Sequence, residues 1–208
     1  MNKIKVIGLG PGHGDYVLPI AKEKIEEAEI IIGAKRNLES VKIEGKDTFE
    51  ITGRINEIVP FIKNNINKNI AIIVSGDTGF YSLLSFLKRN FSSEDLEVVP
   101  GISSIQYMFS KLGQTWQDAY IGSLHGREID FIAKVREYKK VGLLTDRKWT
   151  PTKIAEELIN KNINNRLICI GENLSYDNEN VTIAKPNEVI KRKDYDISVV
   201  VIIDEMEI

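Results

Sequence analysis

Residues 70–79, Ile-Ala-Ile-Ile-Val-Ser-Gly-Asp-Thr-Gly, join a run of apolar residues to a short polar turn. A continuous apolar run of this length is typical of a strand that a parallel sheet buries on both faces. The turn Ser75-Gly76-Asp77 then lies at the carboxyl end of that strand, where open α/β sheets bind their ligands. This stretch predicts the α/β class and the edge of the sheet that carries the site.

The rest of the chain repeats this alternation of strand, loop and helix, which predicts an α/β protein. Strands are predicted at 3–7, 29–32, 48–51, 70–74, 96–99, 140–144, 167–170, 181–184 and 198–203, and helices at 18–28, 55–66, 80–87, 104–112 and 151–160. We expect two α/β domains, residues 1–113 with a mostly parallel sheet and residues 114–208 with a mixed sheet, and an active-site cleft between them. The hinge is predicted at Gly113 to Gln117.

Composition excludes several classes of protein. The chain has 208 residues, with 28 Lys plus Arg against 30 Asp plus Glu, so its formal net charge is −2. This balance gives no basic surface for nucleic acid, and the longest apolar runs fall far short of the ~20 residues that span a membrane. Cys169 is the single cysteine, which excludes an intramolecular disulfide and disfavours a cysteine-built metal site. We expect a soluble cytoplasmic protein with no bound metal, no nucleic acid and no membrane partner.

Gly8-Leu9-Gly10-Pro11-Gly12 directly follows the first predicted strand, where a nucleotide-like ligand would approach the backbone. The dinucleotide fingerprint needs a further glycine at the position of His13, and a phosphate-binding loop needs Gly-Lys-Ser/Thr. Both patterns fail here. The loop therefore allows close backbone approach but does not fit NAD or ATP.

Two more glycine loops follow predicted parallel strands, Ser75-Gly76-Asp77-Thr78-Gly79-Phe80 and Pro100-Gly101-Ile102-Ser103-Ser104. Asp77 has two interpretations, as the cap of the next helix or as a carboxylate that receives an ammonium or hydroxyl group. Ser103 or Ser104 is expected to cap the helix that follows. Because parallel strands end at one edge of a sheet, we expect the three loops to converge there.

The second half offers Ser123-Leu124-His125-Gly126-Arg127, in which a guanidinium and an imidazole share a short glycine loop. An arginine fork suits carboxylates, so Arg127 with His125 is our first choice for an anionic substrate, ahead of Lys148 and Arg54. Polar loops also follow the strands that end at Leu144 and near Gly171. No nucleophile with an adjacent base is evident, and a catalytic residue is left unassigned.

Taken in order, the three N-terminal glycine loops resemble those of the tetrapyrrole methylases, which use S-adenosylmethionine to methylate corrinoid and porphyrinoid macrocycles. The resemblance covers essentially the whole chain. Residues 79–81, 123–127, 144–146, 150–155 and 171–176 are similar more narrowly to the members that methylate C5 of cobalt-precorrin-7 or of its cobalt-free counterpart, precorrin-6Y. Thr78 departs from the family, which usually has proline there.

The resemblance implies which residues hold the methyl donor. Leu9, Gly10, Pro11 and Gly12 would lie against it, and Asp77 with the backbone near Phe80 would hold its methionine or ribose part. Ser103 and Ser104 would lie beside them, and Leu144 would lie near the adenine. The resemblance also implies a homodimer, and a separate polypeptide for the C15 methylation and decarboxylation, for which this chain has no room.

Three alternatives stay open. The first is a methylase that acts at another ring position, such as C11, C17 or C20. The second is a nucleotide-binding oxidoreductase, against which His13 and the missing ribose-binding acid count. The third is a corrinoid or S-adenosylmethionine binding module without catalysis, because methyl transfer demands no diagnostic side chain.

Overall fold

A computed structural model describes residues 3–207 and shows two compact units that divide between Ser103 and Ser104. Within its described residues, the first unit is built on a five-stranded sheet in the order β3-β2-β4-β1-β5, and all of these strands pair in parallel. The strands are β1 (Ile4–Gly8), β2 (Ile30–Gly33), β3 (Asp47–Glu50), β4 (Ile70–Val74) and β5 (Leu96–Val99).

Helices cover both faces of this sheet, as the apolar strands require. They are α1 (Pro19–Glu26), α2 (Lys35–Glu39), α3 (Ile58–Asn64) and α4 (Leu84–Leu87). Alternate residues of a strand point to opposite faces, so Ile31 packs with α1 and α2 while Ile30 and Ile32 pack with α3 and α4. The first unit therefore has two apolar layers, one on each side of the sheet.

The order of the strands creates a switch point between β1 and β4. From β1 the chain runs through α1 to β2, on one side of the pair, and from β4 it runs through α4 to β5, on the other side. Connections that leave neighbouring parallel strands in opposite directions open a crevice at their carboxyl ends. The loops after β1 and β4 border that crevice.

Among residues 104–207, the second unit has a five-stranded mixed sheet in the order β6-β7-β10-β8-β9. Only β6 and β7 pair in parallel. Its elements are α5 (Ser104–Lys111), β6 (Tyr120–Ser123), α6 (Phe131–Glu137), β7 (Lys140–Leu144), α7 (Pro151–Asn160), β8 (Arg166–Glu172), β9 (Asn180–Ala184), α8 (Pro186–Val189) and β10 (Ser198–Asp204).

The units divide one helix earlier than the boundary predicted after Gly113, because α5 packs on the second sheet. Ile105 and Phe109 lie over Gly142 of β7, where an added Cβ would stand 3.2 Å from Ile105 Cγ2 and 3.3 Å from Phe109 Cε2. Phe109 is fully buried. The missing side chain at Gly142 makes room for the helix.

The predicted mostly parallel and mixed sheets are confirmed, and so are the bounds of β4, β5, β7 and α7. The helix predicted over Phe80–Leu87 is wrong in its first half, because only Leu84–Leu87 is helical. Tyr81 has a φ of 52°, a left-handed conformation that no α-helix contains. Sequence analysis also missed α2, β6 and α8, which are too short to show a clear period, and α6, which buries Phe131, Ile132 and Val135 on one face.

Candidate functional site

Three glycines pack backbone against backbone at the carboxyl edge of the first sheet. A Cβ on Gly101 would stand 2.3 Å from the Gly76 carbonyl oxygen and 2.9 Å from that of Gly8. A Cβ on Gly8 would stand 2.6 Å from the same Gly76 oxygen. The loops after β1, β4 and β5 therefore converge as predicted, and their closeness depends on missing side chains.

A short antiparallel bridge fixes the first two loops to each other. Gly10 N donates to Gly76 O at 3.2 Å, and Gly76 N donates to Gly10 O at 2.8 Å. Both residues have positive φ, 80° and 69°. Leu9 is buried, whereas Pro11 and Gly12 are half-buried at the surface of the edge. The bridge occupies the amide and carbonyl groups of Gly10, and Pro11 and Gly12 are the more exposed part of this loop.

Asp77 ties the second loop to the third. Its Oδ1 accepts from Gly79 N at 2.8 Å, and its Oδ2 accepts from Gly101 N at 3.0 Å. The interpretation of Asp77 as a helix cap is wrong, because α4 begins only at Leu84. A carboxylate offers about four lone-pair sites, so each oxygen keeps capacity for a ligand donor.

Phe80 and Tyr81 follow the Asp77 turn as an edge-to-face pair with ring centroids 4.8 Å apart. Tyr81 is 44% exposed despite its left-handed backbone. A non-glycine residue in this conformation costs about 1–3 kcal/mol, and such residues cluster at functional sites. Ser103, at the end of the first unit, is buried, and Ser104 begins α5.

In the second unit, Leu144 ends β7, and its carbonyl oxygen accepts from Leu124 N at 2.9 Å. Asp146 follows and joins two loops as Asp77 does. Its Oδ2 accepts from Gly126 N at 3.0 Å, and its Oδ1 accepts from Lys148 N at 2.9 Å and Trp149 N at 2.7 Å. The Gly126 and Trp149 amides, together with the Lys148 amide and the His125 charge, hold the pKa of Asp146 below its ordinary value.

No specific role is predicted for Asp146 from the sequence, although a signal is present. Asp77 and Asp146 each follow the last residue of a buried strand within three positions, and each bonds a glycine amide of a neighbouring loop. This spacing puts a carboxylate within reach of two strand-end loops.

The loop that Asp146 holds presents His125 and Arg127, both exposed. His125 N donates to the buried Ser123 hydroxyl at 3.2 Å. The two weaker candidates form ion pairs, Lys148 with Glu128 at 3.3 Å and Arg54 with Glu57 at 3.2 Å. The polar loop predicted near Gly171 is present but begins at Asn173, because β8 continues through Glu172.

Glu172 is buried and carries a bidentate pair with Arg192, at 2.7 Å for both contacts. Asn180 Nδ2 and Asp196 N also donate to this carboxylate. A buried carboxylate with these four hydrogen bonds stabilises the fold and is occupied internally. Burial raises the pKa of the Cys169 thiol to about 12, so at neutral pH it stays a protonated apolar side chain.

Within residues 3–207, no cluster of three or more His, Cys, Asp or Glu side chains has the geometry to hold a metal ion. None of the helices in the described part of the chain is long and apolar enough to cross a membrane.

The chain is similar in sequence to a known family and to several named proteins. The family model described as Tetrapyrrole (Corrin/Porphyrin) Methylases matches residues 3–190. The cobalt-precorrin-7 C(5)-methyltransferase of Salmonella typhimurium is 33% identical over 202 residues, 97% of this chain and 99% of that protein. A probable cobalt-precorrin-7 C(5)-methyltransferase of Methanocaldococcus jannaschii is 37% identical over 194 residues, 89% of this chain and 90% of that protein.

A solved structure shares the fold. The precorrin-6Y methylase of Archaeoglobus fulgidus superposes with a TM-score of 0.76 at 20% identity and covers 98% of both chains.

Gly101→Ala tests the contact of the three loops. We expect this substitution to destabilise the protein by about 1–3 kcal/mol, because the new Cβ overlaps the Gly76 carbonyl oxygen. Urea and thermal unfolding measure the loss. Gly14→Ala is the matched control, because Gly14 has open space around it and an ordinary φ. Wild-type stability in Gly101→Ala would contradict the packing.

Asp146→Asn tests the hydrogen bonds by which Asp146 joins two loops of the second unit, through their effect on stability at different pH values. Because the folded pKa of Asp146 is depressed, its ionisation stabilises the fold above its unfolded pKa near 3.9 and ceases to do so as pH falls through the folded value. The wild type should therefore exceed the variant in stability at about pH 7, and the difference should shrink below about pH 4. Urea unfolding across this range measures it. A difference in stability between wild type and variant that is independent of pH would contradict this role of the Asp146 carboxylate.

Proposed function

The chain belongs to the tetrapyrrole (corrin/porphyrin) methylases, and from this premise we propose that it methylates C5 of cobalt-precorrin-7 in cobalamin biosynthesis. It is an S-adenosylmethionine-dependent C-methyltransferase. The observation that carries the assignment is the similarity to C5-methyltransferases over nearly the full length of both chains. The cobalt-bearing substrate follows the names of those relatives.

The carboxyl edge of the first sheet has the groups to bind the methyl donor. It lies at a switch point, and Pro11 and Gly12 present backbone at its surface. The remaining lone pairs of Asp77 suit an ammonium or hydroxyl group of the methionine or ribose part. In this proposal Leu9, Gly10, Phe80, Ser103 and Ser104 line the donor site.

Leu144 is proposed to lie near the adenine. It is half-buried at the end of β7, and its carbonyl oxygen is already bonded to Leu124 N. With this carbonyl oxygen already bonded, Leu144 offers a ligand its apolar side chain, which suits contact with a ring face.

Alignment and exclusion of water are the tasks of the protein in this reaction. A sulfonium donor supplies a methyl group that is already activated, so transfer to carbon needs no protein nucleophile. The new bond forms between the methyl carbon and C5, the sulfonium bond breaks, and the proton of C5 passes to solvent. The Asp77 bonds and the glycine contacts hold the donor loops rigid, which is what alignment requires.

Cationic side chains are proposed to bind the carboxylates of the macrocycle. Arg127, with His125 beside it, stands exposed on a loop that Asp146 fixes through the Gly126 amide. Binding to a guanidinium on a fixed loop costs less loop-ordering entropy than binding to one on a free loop. The homodimer and the separate C15 polypeptide stay predictions from the family resemblance.

Calorimetric titration with S-adenosylhomocysteine, followed by turnover of cobalt-precorrin-7, tests the function. We expect a micromolar dissociation constant and a product that gains one methyl group at C5, which carbon-13 labelling of the donor methyl locates by NMR. Asp77→Ala should abolish the titration, because the donor site loses its carboxylate and its tie to Gly101. Asp95→Ala is the control.

Asp95 suits this control because its carboxylate holds the Ser92 turn at the amino edge of the same sheet. Circular dichroism checks that both variants fold. No binding of S-adenosylhomocysteine to the wild type, or a methyl group at another ring carbon, would overturn the proposal.

Arg127→Ala tests substrate binding separately. We expect the KM for the macrocycle to rise about tenfold while the affinity for S-adenosylhomocysteine stays constant, since a lost charged hydrogen bond has this magnitude. Arg136→Ala, an exposed arginine on α6 of the same unit, is the control. If Arg127→Ala weakened S-adenosylhomocysteine binding as much as it raised the KM for the macrocycle, the assignment of Arg127 to substrate binding would be wrong.

A further inference from the structure

Arg36, Ser75 and Asn37 form a chain of hydrogen bonds at the carboxyl edge of the first sheet. Arg36 Nη2 donates to Ser75 Oγ at 3.3 Å, and Ser75 Oγ donates to Asn37 Oδ1 at 2.8 Å. Asn37 is buried, and its Nδ2 donates to the Ile73 carbonyl oxygen at 3.4 Å. Each group thus donates to the next, and the chain ends on the backbone of β4.

A glycine contact brings these residues together. A Cβ on Gly33, the last residue of β2, would stand 2.6 Å from Ile73 Cγ1 of β4. Its absence lets α2 begin directly beside the end of β4. Arg36, the second residue of α2, is therefore exposed next to Ser75, the first residue of the loop that contains Asp77.

The charge of Arg36 is not matched by an acid. Among residues 3–207, no carboxylate lies within 4.0 Å of its guanidinium, whereas neighbouring Lys35 contacts Glu39 at 4.0 Å and Arg54 contacts Glu57 at 3.2 Å. The guanidinium has five N–H donors, and the contact to Ser75 uses one. A hydroxyl thus orients this arginine without neutralising it.

We propose that Arg36 binds a carboxylate of the macrocyclic substrate, and that Ser75 and Asn37 are the residues that position it. The inference rests on the proposed function. A guanidinium fork matches a carboxylate in two parallel hydrogen bonds, and an oriented fork loses less freedom on binding.

The position favours the substrate over the donor. The donor loops follow β1, β4 and β5, whereas Arg36 follows β2, which lies outside this group and borders it only at β4. At ordinary strand spacing β2 is about 5 Å from β4 and about 10 Å from β1. Arg36 thus extends the edge beyond the donor loops, on the side of β2.

Arg36→Ala with Lys35→Ala as its neighbour control gives the test. We expect Arg36→Ala to raise the KM for cobalt-precorrin-7 about tenfold, with kcat within about twofold and the affinity for S-adenosylhomocysteine unchanged. Lys35→Ala, which removes the adjacent cation, should leave all three values at the wild-type level. A wild-type KM in Arg36→Ala, or a loss of donor affinity with constant KM, would overturn the proposal.

Ser75→Ala tests the positioning role. We expect a smaller rise in KM than in Arg36→Ala, and no further rise when Ser75→Ala is added to Arg36→Ala, because the hydroxyl acts through the guanidinium. Independent, additive effects of the two substitutions on KM would overturn the role of Ser75.

A direct binding measurement separates this inference from the proposed function. Uroporphyrin I, a tetrapyrrole with a carboxylate on every ring substituent, serves as a fluorescent probe. If the wild type binds uroporphyrin I and Arg36→Ala binds it about tenfold more weakly, the inference stands even where cobalt-precorrin-7 is not methylated. Equal binding by wild type and Arg36→Ala, together with equal KM values, overturns the inference while C5 methylation stands.

Discussion

The first unit depends on a single constraint, the contact of three glycine backbones where β1, β4 and β5 end. Gly101 faces the Gly76 carbonyl oxygen at a distance that leaves no room for a Cβ. Parallel strands alone would end near each other but would leave side chains between their loops. Because glycines carry no side chains, the loops come close enough to hydrogen-bond, as Gly10 and Gly76 do. The three loops thereby form one continuous surface.

Each unit then fixes its strand-end loops with one aspartate. Asp77 bonds the amide of Gly101, and Asp146 bonds that of Gly126, so a carboxylate joins two loops in both cases. Charged acceptors form stronger hydrogen bonds than neutral ones, and neither aspartate has to be buried to form them. The sheets differ in topology, one parallel and one mixed, yet their loops are held in the same way.

The sequence predicted the fold class, most strands to within two residues and the convergence of the N-terminal loops, because long apolar runs and glycine turns carry these signals locally. It did not predict that Asp77 acts between loops, since its partner Gly101 lies 24 positions away in the chain. It also missed the Arg36 chain, because α2 has no clear period and the bond to Ser75 spans 39 positions. Such pairs become visible only when the strand order is known.

At the edge of the first sheet, the backbone and the side chains have different roles. Glycine contacts and the two Asp77 bonds shape the loops after β1, β4 and β5, which we propose bind the donor. The anionic macrocycle needs charge, and we propose that the near-neutral chain supplies it at a few oriented arginines rather than over its surface. Arg36 is held through Asn37 to β4, and Arg127 stands on a loop that Asp146 holds. Arg36 borders the Asp77 loop through the Ser75 hydroxyl, and Arg127 stands on another loop. Removing either guanidinium leaves the Asp77 bonds in place, so in our proposal substrate affinity can change without altering the donor site.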